Sequence, residues 1–111
     1  LLELPAGMVN PKEDPAATAA RELTEETGYA AGTVRSLGSY YTSPGFTDEQ
    51  MHLFLATDLR QVSGIQDTDE IAALHRIGRA EAVRMALQGQ ITDAKTIIGI
   101  LWADRELPTR M

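Results

Sequence analysis

The stretch from Gly7 to Tyr29 constrains this chain more than any other, because a glycine-opened loop leads there into a helix with an unusual charge pattern. Asp14 is a preferred N-cap residue, Pro15 suits the first helical position, and Gly28 suits the position after the last one. We therefore predict a helix between Asp14 and Gly28. Small and apolar residues recur in it at three- and four-residue steps and form a packing face: Ala16, Ala19, Ala20, Leu23 and Thr27.

The other side of this helix is crowded with carboxylates. Glu22 and Glu26 lie four residues apart on one face, and Glu25 lies beside them. Like charges at this spacing oppose helix formation by about 0.2–0.5 kcal/mol per pair. Arg21 can pair with Glu25, which leaves Glu22 and Glu26 without a partner. The pattern alone indicates either a solvated acidic face or a site for a hard cation, Mg²⁺ or Mn²⁺ before Zn²⁺.

The spacing of the whole stretch favours the metal site. A glycine (Gly7), five residues, a glutamate (Glu13), seven residues and the run Arg-Glu-Leu-x-Glu-Glu-x-Gly resemble the signature of the Nudix hydrolases at each fixed position. The family usually continues with an aliphatic residue where this chain has Tyr29, a position that packs. The resemblance implies an α/β Nudix fold, a mixed β-sheet sandwiched between α-helices (α/β/α), and metal-dependent hydrolysis of a pyrophosphate bond.

The resemblance also implies roles for individual residues. The expected metal ligands are three helix carboxylates and the main-chain carbonyl of a residue in the preceding Glu-Leu-Pro-Ala-Gly run: Glu22, Glu25, Glu26 and Ala6. On its own, Pro5-Ala6-Gly7 would indicate only a turn. Arg21 is expected to orient Glu25, and both are expected to serve catalysis. Glu13 is expected to tie the loop down rather than to bind metal.

Two β-prone segments surround a loop that carries a second resemblance. After a connector at 30–32, Thr33–Tyr41 is β-prone and Gln50–Asp58 is predicted to be a strand. We predict that Tyr40–Thr42 and Met51–Ala56 form an antiparallel pair around Ser43–Glu49. The run Ser-Pro-Gly-Phe-Thr-Asp-Glu of this loop resembles the proline-bearing element of ADP-ribose pyrophosphatases. The expected substrate-binding residues lie in its first half: Ser43, Gly45 and Phe46. The Phe46 ring can offer its face to a base or a ribose, or can instead be buried as an anchor of its own loop.

A candidate catalytic base follows further along the chain. In the resembling pyrophosphatases, a glutamate just before a strand acts as the base or orients the attacking water. Glu70 matches that position best, Asp69 is the alternative, and the strand is predicted at Ile71–Ile77. The pattern alone would make either acid a solvated loop residue.

Two helices complete the predicted elements. The first is predicted at Gly78–Leu87. The second is predicted from a cap at Thr92 or Asp93 to about Glu106, and Pro108 then ends it. The buried stripe of this last helix is expected to be Ile97, Ile98, Leu101 and Trp102.

The chain opens on Leu2-Glu3-Leu4, which alternates like a strand already under way and carries no initiator Met or signal peptide. We therefore expect residues 1–111 to be a single Nudix domain that lacks an N-terminal region of a longer protein. In the resembling pyrophosphatases such a region supplies dimer contacts and substrate-binding side chains. The resemblance accordingly implies a homodimer.

Charge and composition narrow the range of partners. With 16 acidic against 10 basic residues and a net charge of -6, the chain offers no surface typical of nucleic-acid binding. The absence of cysteine excludes disulfides and thiolate metal sites. No run approaches the roughly 18 apolar residues that cross a bilayer. We expect a cytoplasmic protein that binds neither nucleic acid nor membranes.

The leading expectation for function is the hydrolysis of ADP-ribose to AMP and ribose 5-phosphate with Mg²⁺, Mn²⁺ being the alternative ion. The other enzymatic expectations are a different nucleotide sugar, such as GDP-mannose, and a nucleoside triphosphate. A non-catalytic, nucleotide-binding Nudix module is a further alternative. Such modules usually lose signature carboxylates, whereas this chain keeps Glu22, Glu25 and Glu26.

Overall fold

A computed structural model describes residues 1–62 and 74–108 of the chain. Helices and strands follow one another in this order: α1 Pro15–Thr27, β1 Tyr29–Tyr41, β2 Gln50–Gln61, α2 Arg79–Leu87 and α3 Ala94–Glu106. Within those two ranges, β1 and β2 form one two-stranded sheet. The same residues include no helix long and apolar enough to cross a membrane.

Helix α1 has the bounds that its terminal residues predict. Pro15 occupies its first turn and Asp14 has the extended backbone of an N-cap, although its side chain makes no capping hydrogen bond. Gly28 ends the helix in the left-handed conformation, at a φ of 77°, and its N–H donates to the Thr24 carbonyl at 2.9 Å. A left-handed residue after the last turn is the conformation in which glycine costs least.

Strands β1 and β2 are antiparallel neighbours, as predicted, but both are longer than expected. The N–H of Val62 donates to the Gly28 carbonyl at 3.0 Å, and that of Thr42 donates to the Glu49 carbonyl at 3.2 Å, so the start of β1 lies beside the end of β2. The connector predicted at 30–32 is therefore wrong, because pairing with the extension of β2 draws these residues into β1.

Two further strand predictions are not met. At 2–4 the chain is not a strand, because the Leu4 N–H donates to the Thr96 hydroxyl at 3.0 Å instead of to a neighbouring strand. Of the strand predicted at 71–77, residues 71–73 lie outside the described residues and 74–77 are not strand. Leu74 and Ile77 are 43% and 36% exposed, so no sheet face is buried there.

The described chain divides into two compact units. The first contains Leu1–Leu4, Leu37–Leu53 and the described part of Arg76–Met111, and the second contains Pro5–Ser36 and the described part of Phe54–His75. The first unit holds α2 and α3 and its most buried residues are Leu53, Ala86, Ile91 and Thr96. The second holds α1, whose buried residues are Thr18 and Thr27.

Helix α3 begins and ends as predicted, and Asp93 is its cap, accepting a hydrogen bond from the Thr96 N–H at 3.2 Å. The predicted stripe of Ile97, Ile98, Leu101 and Trp102 is only partly buried, however. The fully buried positions of α3 are Thr96 and Gly99. A Cβ atom at position 99 would lie 2.6 Å from a methyl group of Leu4. Any residue larger than glycine would therefore displace the Leu4 side chain.

Candidate functional site

Arg21 gathers three carboxylates around one guanidinium. Its Nε and Nη2 donate to the two oxygens of Glu13 at 3.3 and 3.1 Å. Its Nη1 donates to Glu22 Oε1 at 2.9 Å and to Glu25 Oε2 at 3.4 Å. The predicted pairing of Arg21 with Glu25 is confirmed. The expectation that Glu22 and Glu26 lack partners is wrong, because Glu22 binds Arg21 and Glu26 accepts a hydrogen bond from the Ala6 N–H. The one-residue spacing still lets Nη1 reach the Glu22 carboxylate, because a long arginine side chain can fold back along the helix.

Glu13 is the most heavily bonded of these carboxylates. Besides the two bonds from Arg21, it accepts hydrogen bonds from the Thr18 hydroxyl at 2.7 Å and from the Asn10 N–H at 3.4 Å. The hydrogen bonds from Arg21 and Thr18 lower the pKa of Glu13 from 4.5 to about 2. The bond from the Asn10 N–H closes a turn within the loop, and the bonds from Thr18 and Arg21 join the end of the loop to α1, the task expected of Glu13.

Ala6 and Gly7 lie against the same helix. The Ala6 N–H donates to Glu26 Oε2 at 2.9 Å. A methyl group on Gly7 would overlap the side-chain carboxyl of Glu22 where it now lies, so glycine permits this close approach. The structure places four of the predicted residues, Ala6, Glu22, Glu25 and Glu26, in the second unit. Ala6 is bonded to Glu26, while Glu22 and Glu25 share the Arg21 guanidinium.

The donor chemistry of this cluster suits a hard cation. Its side-chain donors are carboxylate oxygens, and two of them already bind one cationic group, the Arg21 guanidinium. The Glu22 side chain is 18% exposed, whereas that of Glu25 is 57% exposed. Among the described residues, no three Asp, Glu or His side chains converge as metal ligands. The Arg21 guanidinium donates to Glu22 and Glu25, and the Ala6 N–H donates to Glu26.

The predicted substrate-binding loop belongs to the first unit. The N–H groups of Phe46 and Thr47 both donate to the Ser43 carbonyl, at 2.9 and 3.0 Å, which makes a tight turn. Ser43 and Gly45 are exposed, and Phe46 is 96% exposed. The alternative of Phe46 as a buried anchor is therefore wrong, and its ring is accessible to a ligand. Glu70 and Asp69, the candidate bases, lie outside the described residues.

Thr18 belongs to this network although it is not among the predicted site residues. It is only 3% exposed, and its hydroxyl bonds Glu13 directly. The available signal was its position three residues before Arg21, since residues at this spacing are neighbours on a helix surface. Among the alanines at 16, 17, 19 and 20, it is also the one residue of that run with a polar side chain.

Comparison with known proteins identifies the family and the fold of the chain. The model of the NUDIX domain matches residues 1–98, so the chain belongs to the Nudix family. Among solved structures, one described as an ADP compounds hydrolase superposes with a TM-score of 0.77 at 23% identity, over 89% of this chain and 54% of that one. The α/β Nudix fold that the signature predicted is thereby confirmed.

Three relatives carry names that bear on the substrate. The ADP-ribose pyrophosphatase of Bacillus subtilis is 38% identical over 90% of this chain and 55% of its own length. The ADP-ribose pyrophosphatase of Mycobacterium tuberculosis is 42% identical over 91% and 50%. The GDP-mannose pyrophosphatase of Klebsiella pneumoniae is 36% identical over 88% and 50%. The chain thus spans about half the length of these relatives.

Proposed function

We propose that this chain is the catalytic part of an enzyme that hydrolyses the pyrophosphate bond of a nucleoside diphosphate derivative, with ADP-ribose as the substrate and AMP and ribose 5-phosphate as products. The observation that carries the proposal is the cluster of Glu22, Glu25 and Glu26 on α1, with Ala6 and Gly7 packed against it. The proposal is supported by the match of these residues to the fixed positions of the Nudix signature, and by the membership of the chain in that family.

The cluster has a physical task that fits this reaction. A pyrophosphate is negatively charged, and the carboxylates alone would repel it. A divalent cation, Mg²⁺ in our proposal, would bridge substrate and protein, stabilise the charge that develops in the transition state and activate the attacking water. Glu22, Glu25, Glu26 and the Ala6 carbonyl would hold it. The Ala6 N–H orients the Glu26 carboxylate, since it donates to Oε2 at 2.9 Å.

Arg21 orients the other carboxylates in this proposal. Its guanidinium binds Glu13 through two nitrogens and thereby takes a defined position at the end of the loop. From that position Nη1 reaches both Glu22 and Glu25, and the exposed Glu25 remains accessible to solvent. Glu70 stays our proposed base, with Asp69 as the alternative.

ADP-ribose is favoured as the substrate by the names of two relatives and by the exposed ring of Phe46, which can stack on a base or a ribose. The GDP-mannose pyrophosphatase among the relatives favours a second candidate, another nucleotide sugar. We also propose that the intact protein is a homodimer. Equilibrium sedimentation that shows only monomer would reject the dimer and leave the reaction untouched.

A comparison of kcat/KM across substrates tests the proposed specificity. ADP-ribose, GDP-mannose and dGTP are supplied separately to the intact protein with Mg²⁺, and EDTA replaces the metal in a parallel series. We expect ADP-ribose to be preferred and every activity to disappear in EDTA. A preference for GDP-mannose would favour the second candidate, an enzyme acting on another nucleotide sugar. If none of the three substrates is hydrolysed, a nucleotide-binding module is favoured.

A further inference from the structure

We propose that Thr18 is a positioning residue for the carboxylate cluster, an inference that rests on the proposed function of α1. Its hydroxyl holds Glu13, Glu13 holds Arg21, and Arg21 in turn sets the positions of Glu22 and Glu25. In this arrangement Thr18 touches neither substrate nor metal, and acts through Arg21.

The first step concerns where the single hydroxyl proton of Thr18 goes. The hydroxyl lies 2.7 Å from Glu13 Oε1 and 3.4 Å from the Asp14 carbonyl. The shorter distance and the charged acceptor both favour Glu13, because hydrogen bonds to ionised oxygens are shorter and stronger than those to neutral ones. A hydroxyl at this position of a helix usually bonds the carbonyl one turn back, so the bond to Glu13 is a departure from the ordinary local pattern.

The second step concerns burial. Thr18 is 3% exposed, so water has little access to replace its hydroxyl if the residue becomes apolar. Glu13 Oε1 would then lose one of its donors, while Arg21 Nη2 would remain at 3.1 Å and the Asn10 N–H at 3.4 Å. These remaining donors lie on the long side chain of Arg21 and on the main chain of a loop. Glu13 would therefore keep its charge pair but lose its buried, helix-based contact.

The third step connects Glu13 with the carboxylates of the site. Arg21 uses Nε and Nη2 for Glu13, and this two-point contact orients the plane of the guanidinium. The direction of Nη1, which donates to Glu22 at 2.9 Å and Glu25 at 3.4 Å, follows from that plane. Loss of the Thr18 bond to Glu13 should therefore make the positions of Glu22 and Glu25 less defined. Substituting a residue that supports metal ligands typically lowers metal affinity or activity by about 10–100-fold.

The test compares Thr18→Val, which removes the hydroxyl and keeps the shape, with Thr18→Ser, which keeps the hydroxyl. Thr24→Val is the matched control, since the Thr24 hydroxyl lies on the same helix and bonds the main-chain carbonyls of Ala20 and Tyr29. Mn²⁺ affinity is measured from the electron paramagnetic resonance signal of free Mn²⁺. The melting temperature in EDTA and the kcat and KM for ADP-ribose are measured on the same proteins.

We expect Thr18→Val to weaken Mn²⁺ binding and to lower kcat by about 10-fold each, with KM changed by less than about twofold, and Thr18→Ser to restore both. Thr24→Val should lower the melting temperature and leave Mn²⁺ affinity and kcat unchanged. Wild-type Mn²⁺ affinity in Thr18→Val, or no restoration by serine, would overturn the inference. Thr18→Ala takes the place of the valine variant in this comparison if that variant does not fold.

A double-mutant cycle with Glu13→Gln locates the effect. If Thr18 acts through Glu13, Thr18→Val should weaken Mn²⁺ binding much less in the Glu13→Gln background than in the wild type. Equal losses in the two backgrounds would contradict the proposed route. A wild-type protein that hydrolyses no substrate would refute the proposed function, and the Mn²⁺ measurements would then decide the role of Thr18 by themselves.

Discussion

The main-chain N–H of Ala6 donates a hydrogen bond of 2.9 Å to Oε2 of Glu26, which joins the segment before the loop to the last turn of α1. An amide oxygen can accept this bond as a carboxylate does, but it carries no negative charge. The geometry at Ala6 and the charge at Glu26 can therefore be separated by a single substitution.

That substitution is Glu26→Gln. We expect it to lower turnover by at least about 100-fold, because a neutral amide is a poor ligand for a hard cation. The fold should remain intact, and in EDTA the variant should be as stable as the wild type or slightly more so, because like charges on α1 are relieved. Initial rates and thermal unfolding check the two expectations. Glu106→Gln on α3 is the charge-matched control, and wild-type activity in Glu26→Gln would reject the ligand assignment.

Gly7→Ala tests the close approach of the loop to α1. The added methyl group would overlap the Glu22 carboxyl, which lies at the end of a flexible side chain and can move. We therefore expect a small change in the melting temperature but about a 10-fold loss of Mn²⁺ affinity. In Gly78→Ala nothing lies within 4 Å of the new methyl group, so this control should bind Mn²⁺ like the wild type. Equal affinities for the two variants would show that Glu22 is not needed where it lies.

The ion pair between Glu13 and Arg21 predicts a pH dependence of stability without metal. The pKa of Glu13 falls from 4.5 to about 2 on folding, chiefly because of the hydrogen bond from Arg21. A depressed folded pKa contributes stability that is present above pH 4.5 and lost as the pH falls towards 2. Urea midpoints in EDTA should show the wild type exceeding Glu13→Gln by a constant margin above pH 4.5 that shrinks below it. A margin independent of pH between 5 and 2.5 would contradict this.

How far the sequence predicts the structure depends on the range of the interactions involved. The bounds of α1 follow from Asp14, Pro15 and Gly28, whose effects are local, and the pairing of β1 with β2 follows from two β-prone runs around a short loop. The strand prediction at 2–4 was wrong because alternating side chains do not show which group the main chain will bond. The Leu4 N–H bonds the Thr96 hydroxyl instead of a neighbouring strand.

The same distinction applies to the candidate site. Local spacing places Glu22, Glu25 and Glu26 on one side of α1. The rule that residues four apart on a helix are neighbours predicts the pair of Arg21 with Glu25. Sequence spacing could not predict the contacts between the helix and the segments that precede it. The bonds of Glu13 to Thr18 and of Ala6 to Glu26 depend on the path of the chain between them.

The contacts of Arg79 are expected to stabilise the first unit against unfolding. Its guanidinium donates to Asp104 Oδ1 at 2.6 Å and to the main-chain carbonyls of Asp104 and Leu107 at 3.0 and 3.3 Å. The last carbonyls of a helix such as α3 lack partners within it. Arg79→Lys, which cannot reproduce this fork, should lower the free energy of unfolding by about 1–3 kcal/mol. Urea unfolding measures the loss.

The control for Arg79 is Arg84→Lys. Arg84 pairs with Glu81 on the exposed surface of α2, and surface pairs of this kind contribute little. We expect no measurable change in the urea midpoint of that variant. If Arg79→Lys were also without effect, the contacts of Arg79 with the end of α3 would not contribute to stability.

Hydrolysis of ADP-ribose in water enriched in ¹⁸O tests the central claim most directly. The intact protein is incubated with ADP-ribose and Mg²⁺, and with EDTA in a parallel sample, and the products are identified by mass spectrometry. We expect AMP and ribose 5-phosphate, with one ¹⁸O atom in one of the two phosphates, and no products in EDTA. Unlabelled phosphates, cleavage elsewhere in the molecule, or the same products in EDTA would contradict a metal-dependent attack of water on the pyrophosphate.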